Sequence, residues 1–65
     1  MQLKINGKRE NLQPCSIADY IQAKGLNTTS LVVEHNQKII KQDQWDAVRL
    51  KDDDTLELLS FVGGG

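Results

Sequence analysis

The stretch Thr55-Leu56-Glu57-Leu58-Leu59-Ser60-Phe61-Val62-Gly63-Gly64-Gly65 decides how the chain is read. Residues 55 to 62 form the most apolar strand pattern in the sequence, and the pattern stops on three glycines. Side chains alternate across a strand, so Leu56, Leu58 and Val62 point one way, with Ser60 between them. Glu57, Leu59 and Phe61 point the other way. A chain with one helix covers only one face of its sheet, which assigns Leu56 and Leu58 to the core. Leu59 and Phe61 then lie on the open face beside the tail. A contiguous apolar pair there reads as a docking surface for a partner. The competing reading is a sheet twisted far enough to cover them. Glycine loses the most backbone entropy on ordering and has no side chain to pack. Gly63, Gly64 and Gly65 are therefore expected to form a thin, flexible tail behind a domain spanning 1–62. Such a tail is either a frayed end or an arm that carries a terminal carboxylate into a slot too narrow for a Cβ.

Upstream, Leu3 and Ile5 alternate with Gln2 and Lys4, the period of a half-buried strand. Asn6-Gly7 suits a two-residue turn in which both positions need positive φ. Lys8 to Leu12 returns as a polar, edge-like strand. Ser16-Ile17-Ala18-Asp19 fits a helix N-cap with an acid in its first turn. Cys15 and Tyr20 stand at the two positions of a hydrophobic staple. Ile17, Tyr20 and Ile21 share one helical face, and Gly25 supplies the stop, so a helix is expected over Ile17 to Lys24. Asn27 to Ser30 is loop. Leu31 to His35 is a β-branched, central strand. Asn36-Gln37 turns the chain into the short strand Lys38 to Ile40. Asp43 is placed as the cap of a short helical turn through Gln44-Trp45-Asp46. Ala47 to Leu50 is weakly strand-like, and Lys51-Asp52-Asp53-Asp54 reads as a solvated turn. The order implies an α+β fold: a mixed sheet of about four to five strands with one main helix across one face. The last strand is expected at its centre, beside the first and parallel to it.

Size and composition narrow the function. A chain of 65 residues is one domain. At that length only about 60% of the unfolded surface is buried. One cysteine, Cys15, excludes an internal disulfide, and Cys15 with His35 makes no structural metal site. Aliphatic packing must hold the fold, at about 3–5 kcal/mol. Little room is left for an internal active-site cleft, so the chain is expected to be acted upon by enzymes and not to be one. Eight Lys/Arg and nine Asp/Glu are mixed along the chain for a net charge of −1. No basic run suggests nucleic acid. No apolar run approaches the ~20 residues of a membrane helix. Met1 to Lys4 does not open a signal peptide, and with a lone thiol this points to a cytoplasmic protein.

The residues that carry a family resemblance span the chain. They are Leu3, Ile5 and Asn6-Gly7; Val33-Glu34-His35-Asn36-Gln37-Lys38-Ile39-Ile40; Gln44-Trp45; and Asp52 to Leu58 leading into Phe61-Val62-Gly63-Gly64-Gly65. On these the chain resembles the ThiS-type sulfur carriers of thiamine biosynthesis, which have the ubiquitin-like β-grasp fold. Members often have a proline shortly after the Ile39-Ile40 segment, where this chain has Lys41. The resemblance implies that an ATP-using, ThiF-type adenylating enzyme joins Gly65 to AMP. A persulfide sulfur, made from cysteine by a cysteine desulfurase, then displaces AMP. The resulting thiocarboxylate on Gly65 passes its sulfur to a ThiG-type thiazole synthase. Gly63 and Gly64 would be the narrow arm, and Leu59, Phe61 and Val62 the docking face. No bound cofactor and no metal are implied, and no catalytic residue in this chain. The same fold also serves carriers for molybdenum-cofactor synthesis, which are longer. It serves modifiers joined to lysines as well, here through Gly65. A plain interaction module with an irrelevant glycine end is the remaining reading.

Other residues read as structural. Cys15 has no basic neighbour in sequence and a packing position, against a role as nucleophile. His35 reads as a surface or turn residue, not a ligand. Trp45 reads as the lid of a small core. Asp52-Asp53-Asp54 lacks the glycine and the terminal glutamate of a calcium loop. It could instead meet a basic patch on a partner.

Overall fold

The structure is a computed structural model, and it describes residues 1–61. Strand β1 (Gln2–Ile5) and strand β2 (Lys8–Asn11) form an antiparallel hairpin. The turn between them has Asn6 at φ 51 and Gly7 at φ 81, the left-handed pair that matches the twist of the strands. Helix α1 (Ile17–Lys24) has the bounds the sequence sets. Ser16 accepts a hydrogen bond from the Asp19 backbone N–H at 3.0 Å, and the Asp19 carboxylate accepts one from the Ser16 N–H at 3.1 Å. This reciprocal capping box satisfies two otherwise orphaned donors. At the other end Gly25 takes the left-handed conformation that stops the helix.

Strand β3 (Leu31–His35) turns through Asn36 and Gln37, both at positive φ, into strand β4 (Lys38–Ile40). A single 3₁₀ turn, Gln42–Gln44, follows, and strand β5 (Thr55–Ser60) ends the described fold. The sheet runs β2-β1-β5-β3-β4, with β5 parallel to β1 and antiparallel to β3. The last strand is thus central, as its apolar content requires. Leu3, Ile5, Val33 and Leu56 of the sheet meet Ile17, Tyr20 and Ile21 of α1, with Trp45 and Leu50 closing the core. Trp45 satisfies its indole N–H on the Ile40 carbonyl at 2.9 Å, so it caps the core without stranding a donor.

Two sequence expectations need correction here. Asp43 is not a cap: the 3₁₀ turn starts earlier, Lys41 stands at its N-cap, and no side chain caps it. Ala47 to Leu50 is not a strand. Only one bridge, Ser16 to Arg49, forms there. Ile17 N–H bonds the Val48 carbonyl and Leu50 N–H bonds the Cys15 carbonyl, so the segment clasps the start of α1 and does not join the sheet. The sequence pattern was too short to separate a clasp from a strand.

Candidate functional site

The exit of β5 is held on both flanks. On the β1 side, the Asn6 side-chain carbonyl accepts from Leu58 N–H at 2.8 Å, and Asn6 N–H bonds the Leu56 carbonyl. The hairpin turn thereby extends the ladder beyond the end of β1. On the β3 side, the register pairs Leu31 with Ser60, Val32 with Leu59 and Val33 with Leu58. Phe61 N–H then bonds the Ser30 carbonyl at 3.0 Å. The strand is fixed up to the last described residue.

Alternation along this fixed strand sorts its side chains. Leu56 is fully buried and Leu58 half-buried against the core. Leu59 is 45% exposed and Phe61 59% exposed, on the face away from α1. The structure therefore brings two of the expected docking residues together at the strand exit. Val62, Gly63, Gly64 and Gly65 lie outside the described residues. Ile39 of β4, which sequence reading did not single out, is 69% exposed. Its period-2 neighbour Ile40 packs on the core, and that alternation was the available signal.

At the opposite end of β5 sits a polar cluster. The sequence places Asp54 in a solvated turn, but only 8% of it is exposed. Its carboxylate is bound by His35 Nε2 at 2.7 Å, by the Asn36 side-chain amide at 3.0 Å and by Lys51 N–H at 2.9 Å. Burial pushes the Asp54 carboxyl up, but these hydrogen bonds outweigh burial and hold its pKa below the usual value. Asn36 also accepts from Thr55 N–H, so the cluster ties the β3–β4 turn to the start of β5. His35 is accordingly a half-buried structural partner, not a free surface residue. Neighbouring Asp52 does serve the turn, accepting from Gln2 N–H at 2.8 Å.

Nothing described here makes an active site. Cys15 is half-buried, and burial together with the Asp19 charge pushes its thiol pKa up, away from the reactive thiolate. Among the described residues no group of His, Cys, Asp or Glu side chains could hold a metal ion. No helix among them is long and apolar enough to cross a membrane. A groove of about 580 Å³ runs between α1 and the 3₁₀ turn over Ile21, Leu26 and Trp45. Its lining includes Thr28, Asp43 and Asp46 but no cysteine, serine or histidine.

A mixed five-stranded sheet gripping one helix, with a central last strand leading into a glycine-rich end, defines the class of ubiquitin-like β-grasp proteins. Within that class the chain belongs to the ThiS family, whose sequence pattern matches residues 2–65. It is 34% identical to the sulfur carrier protein ThiS of Bacillus subtilis, over 97% of this chain and 98% of the relative. The crystal structure of thiamine biosynthesis protein ThiS from Geobacter metallireducens superposes with a TM-score of 0.84 at 29% identity, covering all of both chains. A thiazole synthase of Paramagnetospirillum magneticum is 30% identical over the whole of this chain, which spans only a fifth of that protein's length.

Proposed function

We propose that this protein is a sulfur carrier for the thiazole of thiamine, with the α-carboxyl of Gly65 as the group that carries the sulfur. The observation that supports this most is the family match. It runs to residue 65 and so takes in the glycine end together with the fold that presents it. Family membership also favours the thiamine branch over a molybdenum-cofactor carrier or a lysine-linked modifier.

A carboxylate resists substitution because oxide is a poor leaving group, so the carboxyl must first be activated. In the proposed sequence a Gly65 carboxylate oxygen attacks the α-phosphorus of ATP on a ThiF-type adenylating enzyme, and pyrophosphate leaves. The terminal sulfur of a persulfide, formed from cysteine by a desulfurase, then attacks the acyl carbon, and AMP leaves. A thiol cleaves the resulting acyl disulfide. That thiol and the former persulfide sulfur end as a disulfide, and Gly65 keeps a thiocarboxylate. The thiocarboxylate is the nucleophile that delivers sulfur to thiazole synthase. A synthase that contains a segment similar to the whole of this chain supports that acceptor.

The carrier's part in this chemistry is placement, and no acid, base or metal of its own is used. Holding a reacting group in position removes much of the entropic barrier of a bimolecular step. Leu59 and Phe61, fixed at the exit of β5, serve as the docking face from which Val62 and the arm Gly63-Gly64 reach a partner's active site. The three glycines admit the arm where a Cβ would clash. A bacterium lacking its own carrier tests this on medium without thiamine. The full chain restores growth and the chain without Gly65 does not, while added thiazole rescues both. Growth supported by the truncated chain refutes the proposal.

A further inference from the structure

The open face of the sheet carries charge in a register that the fold itself does not favour. Cross-strand pairing sets Glu34 of β3 directly opposite Glu57 of β5. Like charges in that position destabilise a sheet. Among the described residues neither carboxylate has an ion-pair partner, since the one ion pair there joins His35 and Asp54. Lys4, on the same face of β1, stands opposite Thr55 and not opposite Glu57. Apolar groups flank the two acids on two sides. Ile39 lies across from Glu34 on the outer side, and one step along the same face Val32 lies across from Leu59. With Thr55 and Lys4 on the other side, the acid pair is thus the polar end of an apolar strip that leads to Phe61.

We propose that Glu34 and Glu57 together hold one arginine or lysine side chain of the adenylating enzyme, while Val32, Leu59 and Phe61 cover apolar groups around it. This rests on the carrier reading above and names the chemistry of the partner at the same docking face. Two adjacent carboxylates suit a guanidinium, whose fork of N–H groups can reach both at once. A second copy of this chain is a poor occupant, because it would bring two more carboxylates to the same patch. The strip also leads along β5 to Phe61, the last described residue before the segment that carries Gly65, which makes it the described surface nearest to where the proposed partner must hold the chain.

The test compares adenylation of the wild-type chain, the double variant E34Q/E57Q and the single variant E57K, read by pyrophosphate release at low and high salt. The double variant is expected to lose about tenfold in kcat/KM at low salt through a higher KM, with kcat unchanged. Its salt dependence should flatten, because salt screens the attraction that the variant lacks. E57K places a cation opposite Glu34, so its Tm should rise by about 2–5 °C while its activation is the poorest of the three. A double variant with the kcat/KM and salt slope of wild type overturns the proposal, and so does E57K activated as well as wild type. A wild-type chain on which no pyrophosphate is released refutes the carrier reading itself, which separates the two failures.

Discussion

Replacing Asp54 by alanine removes an acceptor that three donors share: His35 Nε2, the Asn36 amide and Lys51 N–H. Hydrogen bonds to a charged group contribute about 1.5–3 kcal/mol each, but they do not add. Asn36 and Lys51 are exposed and His35 half-buried, so water replaces part of what is lost. Asp54→Ala should therefore cost about 2–4 kcal/mol. Against a total of about 3–5 kcal/mol for a chain of this size, that leaves the variant only marginally stable, with about 1 kcal/mol remaining at the centre of both ranges. Asp54→Asn keeps one acceptor and loses the charge, and should cost about 1–2 kcal/mol. Urea titration at pH 7, followed by fluorescence of the single buried tryptophan, Trp45, measures both. A cost below about 0.5 kcal/mol for Asp54→Ala would place it with ordinary surface changes and refute the reasoning.

Acid supplies an independent arm. The folded pKa of Asp54 is lowered, so the unfolded chain binds the proton more tightly. Its contribution is complete above the ordinary carboxylate value of about 3.9 and is lost as pH falls through the lower folded value. The urea midpoint should drop between pH 5 and pH 3 in wild type, and drop less in Asp54→Asn.

Ser16→Ala removes one half of the capping box and should cost about 1 kcal/mol by the same urea assay, with the m-value unchanged. A loss under a few tenths would mean that the Asp19 carboxylate suffices alone. Leu59→Ala and Phe61→Ala should each cost no more than about 1 kcal/mol, since each side chain is roughly half exposed. Together they should lower kcat/KM for adenylation by about tenfold or more through lost docking contacts. Unchanged kinetics in that double variant would remove β5 from the docking face.

Most of the fold was legible because its signals are local. Ser16 with Asp19 and Gly25 bound the helix, Asn6-Gly7 and Asn36-Gln37 mark the turns, and the apolar content of β5 puts it at the centre. Alternation alone sent Leu56 inward and Leu59 outward. What escaped sequence reading depends on register between distant segments. Asp54 sits in a run of three aspartates that looks solvated, and its burial follows only when β3 pairs with β5 and brings His35 and Asn36 to it. The opposition of Glu34 and Glu57 arises from the same pairing, and neither residue's sequence neighbours announce it. The clasp of Val48 and Leu50 on the start of α1 likewise needs the folded path of the chain.

The carrier chemistry itself is tested most directly by an intact mass spectrum. The chain is incubated with a ThiF-type adenylating enzyme, ATP, cysteine and a cysteine desulfurase. A gain equal to one oxygen replaced by sulfur is expected, and it should vanish when Gly65 is deleted or followed by one further residue. An unchanged mass, with an enzyme that converts its own carrier in parallel, would contradict sulfur transfer through Gly65.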